Sequence, residues 1–344
     1  MQIKVEHTVA FDGGWDRETV ERTLRAAHRI VLVAHQNADG DAVGALTGMY
    51  ALLRKATTAE VTPLLPDGCP DDLVWLPNTD RILSGKSQNA ECRRAISEAD
   101  LIVLLDLNTL ERTGVLADAL GAAKAKQMLV DHHEQPALDC SALLISEPEI
   151  SSTCELVYWV MQSTFGDSIF DREAATSLYT GICTDTGTFS YSNDRPSVYL
   201  AAAALLAFGI DPMEINRQIK NVFTEARLRF FGHAMADLLT VDTTQQVALM
   251  TITEADMRAY GVESAELTGL INEVMKLKAI DCGILVREEG IKTRVSMRSK
   301  VRYDVATLAS ELFGGGGHRR AAGATSTLSL ADTVETIKRR LSLA

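Results

Sequence analysis

Three short apolar runs in the first half of the chain end on an acid or a histidine, and this repetition limits the fold more than any other feature. "RIVLVAH" (29–35) stops on His35, "LIVLLD" (101–106) on Asp106, and "KQMLVDHH" (126–133) on Asp131, His132 and His133. With "AEVTPLL" (59–65) and "SALLIS" (141–146), they have the length and near-continuous apolar character of strands buried on both faces of a parallel sheet. Between them, "DAVGALTGMYALLRKA" and "RTGVLADALGAA" have helical spacing. "SSTCELVYWVMQS" opens with a Ser/Thr cap and a Glu placed as in a capping box. Strand–helix alternation predicts an α/β domain, doubly wound around a mainly parallel sheet, over residues 1–210.

The pattern then changes. Residues 211–244 read as a helical linker that starts on an Asp-Pro pair. Residues 245–344 read as a smaller α+β domain with a mixed sheet: strands in "QVALMTIT" and "DCGILVREEGIKTRVSMRSK", a helix in "VATLASELFGGGGH" stopped by glycines, and a closing helix in "LADTVETIKRRLSL". A chain of 344 residues fits two domains. The net charge of −12 argues against a general nucleic-acid coat and is unevenly spread. Residues 245–344 hold 14 Lys/Arg and 12 Asp/Glu, leaving 20 and 34 for residues 1–244. That split suggests cations in the first part and phosphates in the second. No apolar stretch reaches the ~18 residues of a membrane span. The opening "MQIKVEHTVAFDGG" lacks a signal-peptide layout, so a cytoplasmic protein with no membrane partner is expected. Cysteines 69, 92, 140, 154, 183 and 282 form no CxxC pair and read as buried thiols.

The ends of the apolar runs carry the chemistry. His35, Asp39 and Asp41 stand together in "HQNADGDAVG", Asp106 ends its run, Asp131, His132 and His133 follow the next, and Asp185 lies in "GICTDTGTFSYSN". In an open α/β sheet, ligands bind beyond the carboxyl ends of the strands, where these residues are expected. Gathered aspartates repel one another unless protons or cations intervene. A mixed imidazole–carboxylate set suits Mn²⁺, with Co²⁺, Mg²⁺ or Zn²⁺ also chemically acceptable. The gathered charges are therefore read as a place that holds cations. A closed structural zinc site is disfavoured because such sites are cysteine-rich and these segments hold a single cysteine, Cys183.

The second domain offers anion ligands. In a strand, Arg294, Ser296, Arg298 and Lys300 of "RVSMRSK" share one face, with Val295, Met297 and Ser299 on the other. The glycines of "FGGGGHRRAAG" let backbone amides approach an anion, with His318 beside them. Aromatics are only 6% of the chain and do not interleave with a basic face, which argues against tracking long strands. Phe189 and Tyr191 of "FSYSN" are the available stacking rings, Phe189 being better suited to the core.

"HQNADGDAVG", "DLN", "DHH" and "TDTGTFSYSN", in this order, resemble the four motifs of the DHH phosphoesterases, and "FGGGGHRRAAGAT" resembles the signature of their associated C-terminal domain. The two-domain length is most similar to the nanoRNase/pAp phosphatase branch. The resemblance implies a metal held by His35, Asp39 and Asp106, and a second held by Asp41, Asp106, His132 and Asp185, with Asp106 bridging. It implies that Asp131 orients a ligand histidine, and that His133 points at the scissile phosphate as a phosphate ligand or proton donor. Arg298, Ser299, Lys300, Gly316 and His318 correspond to substrate contacts. Departures are Ala38 for a common Pro, Ala45 for a common Ser, and Ser190 for a common basic residue. The implied activity is Mn²⁺-dependent hydrolysis of short oligoribonucleotides to mononucleotides, of 3′-phosphoadenosine 5′-phosphate (pAp) to AMP, or both, in a cleft between the domains. Cyclic or linear dinucleotides (c-di-AMP, pApA) and phosphoanhydrides such as pyrophosphate or polyphosphate are the alternatives. A non-catalytic nucleotide sensor is disfavoured because every candidate ligand is present. The implied partner is a short RNA or nucleotide, not a long duplex, and relatives often form homodimers.

Overall fold

The structure is a computed structural model that describes residues 13–134, 136, 143–190, 194–220 and 223–343. It divides into two compact units, residues 1–222 and 223–344.

The first unit is built on six strands: β1 (Arg29–Val33), β2 (Glu60–Leu65), β3 (Leu83–Ser84), β4 (Leu101–Leu105), β5 (Lys126–Asp131) and β6 (Leu143–Ser146). All pairs are parallel, in the order β3-β2-β1-β4-β5-β6. This is the doubly wound α/β architecture read from the sequence. All five residues of β4 are buried, as a strand covered on both faces requires. The short β3 carried no signal in the sequence; it is an edge strand paired only at Leu83 and Ser84. The order reverses between β1 and β4, so their following loops diverge and leave a crevice, the usual place for a ligand in such a sheet.

The helices of this unit are α1 (Arg17–Ala26), α2 (Gly40–Ala56), α3 (Asn89–Glu98), α4 (Ala117–Gly121), α5 (Thr153–Phe165), α6 (Arg172–Asp185), α7 (Pro196–Leu206) and α8 (Pro212–Lys220). The stretch read as one helix around 112–123 is instead a 3₁₀ segment, Leu110–Leu116, followed by α4, broken at Gly114 with φ +52°. Helix α2 is buried almost all round and lies directly on α6. Gly40, Gly44 and Gly48 form a ladder at i, i+4, i+8 that makes this contact. A Cβ at Gly44 would lie 2.6 Å from the Ser177 carbonyl oxygen, and one at Gly48 2.7 Å from Leu178 Cδ2. These glycines allow backbone-to-backbone approach that no side chain would permit.

Residues 211–244, expected as a linker, contribute one helix to each unit. Ile215 of α8 packs into the core of the first, while Phe230, Phe231 and Ala234 of α9 (Glu225–Asp237) pack into the second.

The second unit has a mixed sheet of β7 (Leu239–Asp242), β8 (Val247–Ile252), β9 (Cys282–Glu289), β10 (Lys292–Ser299), β11 (Gly316–His318) and β12 (Ala321–Ser326), ordered β11-β12-β10-β9-β8-β7. Only β8 and β9 run parallel. It carries α10 (Glu254–Tyr260), α11 (Leu270–Val274), α12 (Val305–Phe313) and α13 (Leu330–Leu341). The glycine run is more than a stop. Gly314 (φ +63°) caps α12, and Gly316–His318 then pairs antiparallel with β12 as an edge strand. A Cβ at Gly315 would fall 2.3 Å from the Gly323 carbonyl oxygen, which is why a run of glycines is needed there.

Candidate metal centre

The loops after β1, β4 and β5 and the facing ends of α2, α5 and α6 converge on one cluster of acids and histidines. Asp39 caps α2, accepting from the Asp41 and Ala42 amides at 3.0 and 3.1 Å. Asp41 follows in the first turn and is buried. Asp106 leaves β4 in the left-handed region (φ +59°), a conformation Asp tolerates better than most residues and one that turns the chain sharply at the strand tip. Asp185 is not at a strand tip, as the sequence suggested, but is the last residue of α6. Helix C-termini disfavour an anion. The α2–α6 glycine contact brings Asp185 to Asp41, since a Cβ at Gly40 would meet Thr184 at 2.5 Å.

Three groups of potential ligand atoms result, each within 4.8 Å of one another: His35, Asp39 and Asp106; Asp41, His132 and Asp185; and Asp106, His132 and His133. Asp106 links the first and third, His132 the second and third. His35 Nε2 lies 3.3 Å from Asp106 Oδ2 and 4.0 Å from Asp39 Oδ1. His132 Nε2 lies 3.6 Å from Asp106 Oδ1, 3.6 Å from Asp185 Oδ2 and 3.8 Å from Asp41 Oδ2. The His35 Nδ1–H donates to the Gln36 carbonyl oxygen at 2.8 Å, leaving the Nε2 lone pair facing the acids.

The electrostatics show what is missing from the side chains alone. Burial, then the Asp106 and Asp39 charges, push the Asp185 carboxyl up to about 8. Burial and the Asp106 and Asp185 charges likewise raise Asp41 well above the carboxylate range. Asp106 shifts the other way: burial would raise it, but the His35 hydrogen bond and the nearby imidazoles hold it well below. Yet Asp41 is held as an acceptor, taking the Thr153 amide at 2.7 Å on Oδ2 and the Cys154 amide at 2.9 Å on Oδ1. The backbone therefore favours an anion that the neighbouring carboxylates oppose, and a cation resolves the conflict. The donors are imidazole nitrogens and carboxylate oxygens. The adjacent Cys154 thiol is pushed well up by burial and by Asp41, so it stays protonated. This donor set fits Mn²⁺, Mg²⁺ or Co²⁺ better than thiolate-bound zinc.

Four features of the site were not read from the sequence. The Thr153 hydroxyl donates to Asp106 Oδ1 at 3.0 Å, so the start of α5 holds both Asp41 and Asp106. Glu155 is fully buried and accepts from the Ser151 amide (3.0 Å), the Ser151 hydroxyl (2.6 Å) and Trp159 Nε1 (3.3 Å), while Ser152 caps the helix. The expected capping box is thus displaced by one residue: the acid reaches back to Ser151 and fixes the turn that presents Thr153. Glu155→Ala strands two donors of Ser151 in the interior and is expected to cost about 3 kcal/mol in urea unfolding, with Glu155→Gln much milder. The third feature is Arg112, whose Nη1 lies 3.0 Å from His133 Nε2. A lone arginine after "DLNTLE" gives no sequence signal. The fourth is the glycine ladder, whose i, i+4, i+8 spacing was legible.

Asp131 bonds His133, not His132: its Oδ1 accepts from Nδ1 at 2.7 Å, and its buried Oδ2 has no hydrogen-bond partner among the described residues. A guanidinium only donates, so His133 Nε2 is an acceptor and its ring proton is on Nδ1. His133 is therefore pinned at both nitrogens, and the expected proton donation from Nε2 requires Arg112 to move first.

In the second unit, alternate residues of β10 are buried, with Arg294 exposed and Arg298 half-buried on the other face. Ser299 corrects its expected role: it is buried and its hydroxyl donates to Asp281 at 3.0 Å, inside the fold. Lys300 is half-buried, its Nζ donating to the Leu277 carbonyl oxygen at 2.8 Å, and Gly316 and His318 are exposed on the edge strand. Phe189 stacks on Tyr199 at 5.5 Å and joins the core; Tyr191 and Cys140 lie outside the described residues. No helix is long and apolar enough to cross a membrane among the described residues.

Residues 29–182 match the DHH family, N-terminal domain, and residues 244–343 match the DHHA1 domain. The bifunctional oligoribonuclease and PAP phosphatase NrnA of Thermus thermophilus is 27% identical over 318 residues, 90% of this chain and 89% of that protein. The Bacillus subtilis protein of the same name is 25% identical over 88% of this chain and 91% of its own. Among solved structures, an exopolyphosphatase-related protein from Bacteroides fragilis superposes with a TM-score of 0.91 at 31% identity, covering 95% of both chains. With both units matched and a relative this similar along almost all of its length, the chain belongs to the DHH family of phosphoesterases, its second unit being a DHHA1 domain.

Proposed function

We propose that this protein is a divalent-cation-dependent phosphoesterase that releases mononucleotides from short oligoribonucleotides and converts pAp to AMP. The observation that carries the reading is the shared cluster: three adjoining ligand groups joined through Asp106 and His132, the arrangement two neighbouring cations need. The two NrnA relatives support the substrate class, since each is similar along about nine-tenths of this chain.

His35, Asp39 and Asp106 would hold one cation, and Asp41, His132, Asp185 and Asp106 the other, with Mn²⁺ the best match to the donors. A bound pair of divalent cations supplies Lewis acidity and an activated water for in-line displacement at phosphorus. The chain's own residues set this up. The Gln36 carbonyl fixes the His35 ring, the Thr153 and Cys154 amides fix Asp41, and the Thr153 hydroxyl fixes Asp106. Such supporting contacts are worth roughly 10- to 100-fold in metal affinity or activity. Arg298, Lys300, Gly316 and His318 of the DHHA1 unit are the proposed phosphate and nucleotide ligands. Water adds across one P–O bond, leaving a phosphate on one product and a hydroxyl on the other.

The test is a comparison of pAp, a diadenylate, a 5-mer RNA, cyclic-di-AMP, pyrophosphate and polyphosphate, each with the purified protein and Mn²⁺. AMP from the first two and mononucleotides from the RNA are expected. Phosphate from pyrophosphate or polyphosphate alone would overturn the substrate assignment.

A further inference from the structure

Arg112 is placed by the fold rather than left on a loose surface loop. Its carbonyl oxygen accepts from the Gln36 amide at 2.7 Å, tying it to the loop that begins with His35. Thr113 beside it is fully buried and bonds the Leu110 carbonyl at 2.6 Å. Gly114 turns the chain away (φ +52°), and a Cβ there would meet Gln36 Oε1 at 2.6 Å. The guanidinium is half-buried and places Nη1 3.0 Å from His133 Nε2, with no carboxylate at ion-pair distance among the described residues.

This is an unusual place for a cation without an acidic partner. The cluster holds five carboxylates, those of Asp39, Asp41, Asp106, Asp131 and Asp185, and Asp131 is already engaged by His133. Two divalent cations and one guanidinium would balance five carboxylates, so Arg112 would complete neutrality at the edge of the site. A guanidinium has five N–H donors in a planar fork that matches phosphate oxygens, and the contact to His133 uses one of them.

We infer that Arg112 is a phosphoryl ligand of the DHH unit, holding His133 with one N–H while its remaining donors bind a non-bridging oxygen of the scissile phosphate. The inference rests on the phosphoesterase reading above. It places a phosphate contact on the metal-bearing unit, in addition to those of the DHHA1 unit. Lysine is a poor replacement, because its donors sit on one compact ammonium and lack the spread of the planar fork that would span His133 and a phosphate oxygen.

Arg112→Gln and Arg112→Lys, loaded with Mn²⁺, are expected to raise KM for pAp and a short RNA by ~10- to 100-fold, the effect of losing a charged hydrogen bond. Mn²⁺ affinity should stay within ~2-fold of the parent. Inorganic phosphate titrated calorimetrically into the Mg²⁺-loaded protein should bind the parent and fail with Arg112→Gln. In cation-free protein, ¹⁵N-histidine spectra assigned through His133→Gln should show the proton on Nδ1, and Arg112→Ala should shift the Nε2 resonance. An unchanged KM, unchanged phosphate binding, an unmoved Nε2 signal, or Mn²⁺ loss as large as that of an Asp106 variant would each overturn the inference. If the parent hydrolyses none of the substrates, yet phosphate binding still depends on Arg112, the functional reading falls and with it the scissile phosphate, while Arg112 stands as a phosphate ligand of the DHH unit.

Discussion

Asp106→Asn is expected to lower turnover of pAp and short RNA by at least ~10³-fold, about 4 kcal/mol of barrier, while the protein stays folded. Asp106 Oδ2 faces His35, and Oδ1 faces His132 and takes the Thr153 hydroxyl, so one side chain joins the ligand groups. Asn keeps the shape and can still accept from Thr153. Its amide can donate to His35 Nε2, whose ring proton is committed to the Gln36 carbonyl. What is lost is the charge that both cations would share. Metal content, kcat and the melting temperature should separate in one experiment: the first two fall, and the third moves by a few degrees at most. A variant with near-normal turnover would remove the two-cation reading.

Stability should respond to pH and to cations together. In the cation-free protein Asp185 titrates near 8 in the folded state against 3.8 ordinarily, and Asp41 shifts the same way. Below about pH 4 both are protonated, folded or unfolded. Between pH 4 and 8 folded Asp185 keeps a proton that the unfolded chain has lost, and Asp41 acts in the same direction, so stability falls as pH rises through this window. His35 adds to the trend: despite burial, its bond to Asp106 raises it, so its contribution is present in acid and is lost as pH rises through its folded value. Asp106, held low, contributes stability above the ordinary carboxylate range and changes little across the window. Chelated protein should therefore melt lower at pH 8 than at pH 5. Mn²⁺ at ~100 times its pH 8 Kd adds about 2.7 kcal/mol at pH 8, roughly 5–10 °C for a unit of this size, and the same concentration should add far less at pH 5, where protons compete. Equal shifts at the two pH values, or none, would show that the carboxylates are not where the cation binds.

The apolar runs were sufficient to read the parallel sheet, because strands buried on both faces must be apolar throughout, and β1, β4 and β5 fall within the runs that end on His35, Asp106 and Asp131. The candidate ligands were also legible, since imidazoles and carboxylates gathered beyond strand ends have few other uses. The edge strand of Gly316–His318 was hidden, because glycine has no β-propensity and its pairing depends on β12. The resemblance implied a substrate contact at Ser299, while strand alternation in the sequence already put it on the face of Val295 and Met297, where its hydroxyl meets Asp281.

By itself, then, the sequence determined the class of fold, the order of the motifs and the residue types able to hold cations, because hydrophobic period and ligand chemistry are local properties. Only the tertiary structure decided that Asp185 reaches Asp41 from a helix end, that α5 holds two of the acids with Thr153 and Cys154, and that Asp131 and Arg112 grip His133 from either side. The Asp185–Asp41 approach and the grip of α5 depend on how closely the glycine ladder and the buried turn at Glu155 let their elements come together, while Arg112 reaches His133 from the segment after β4 to the one after β5.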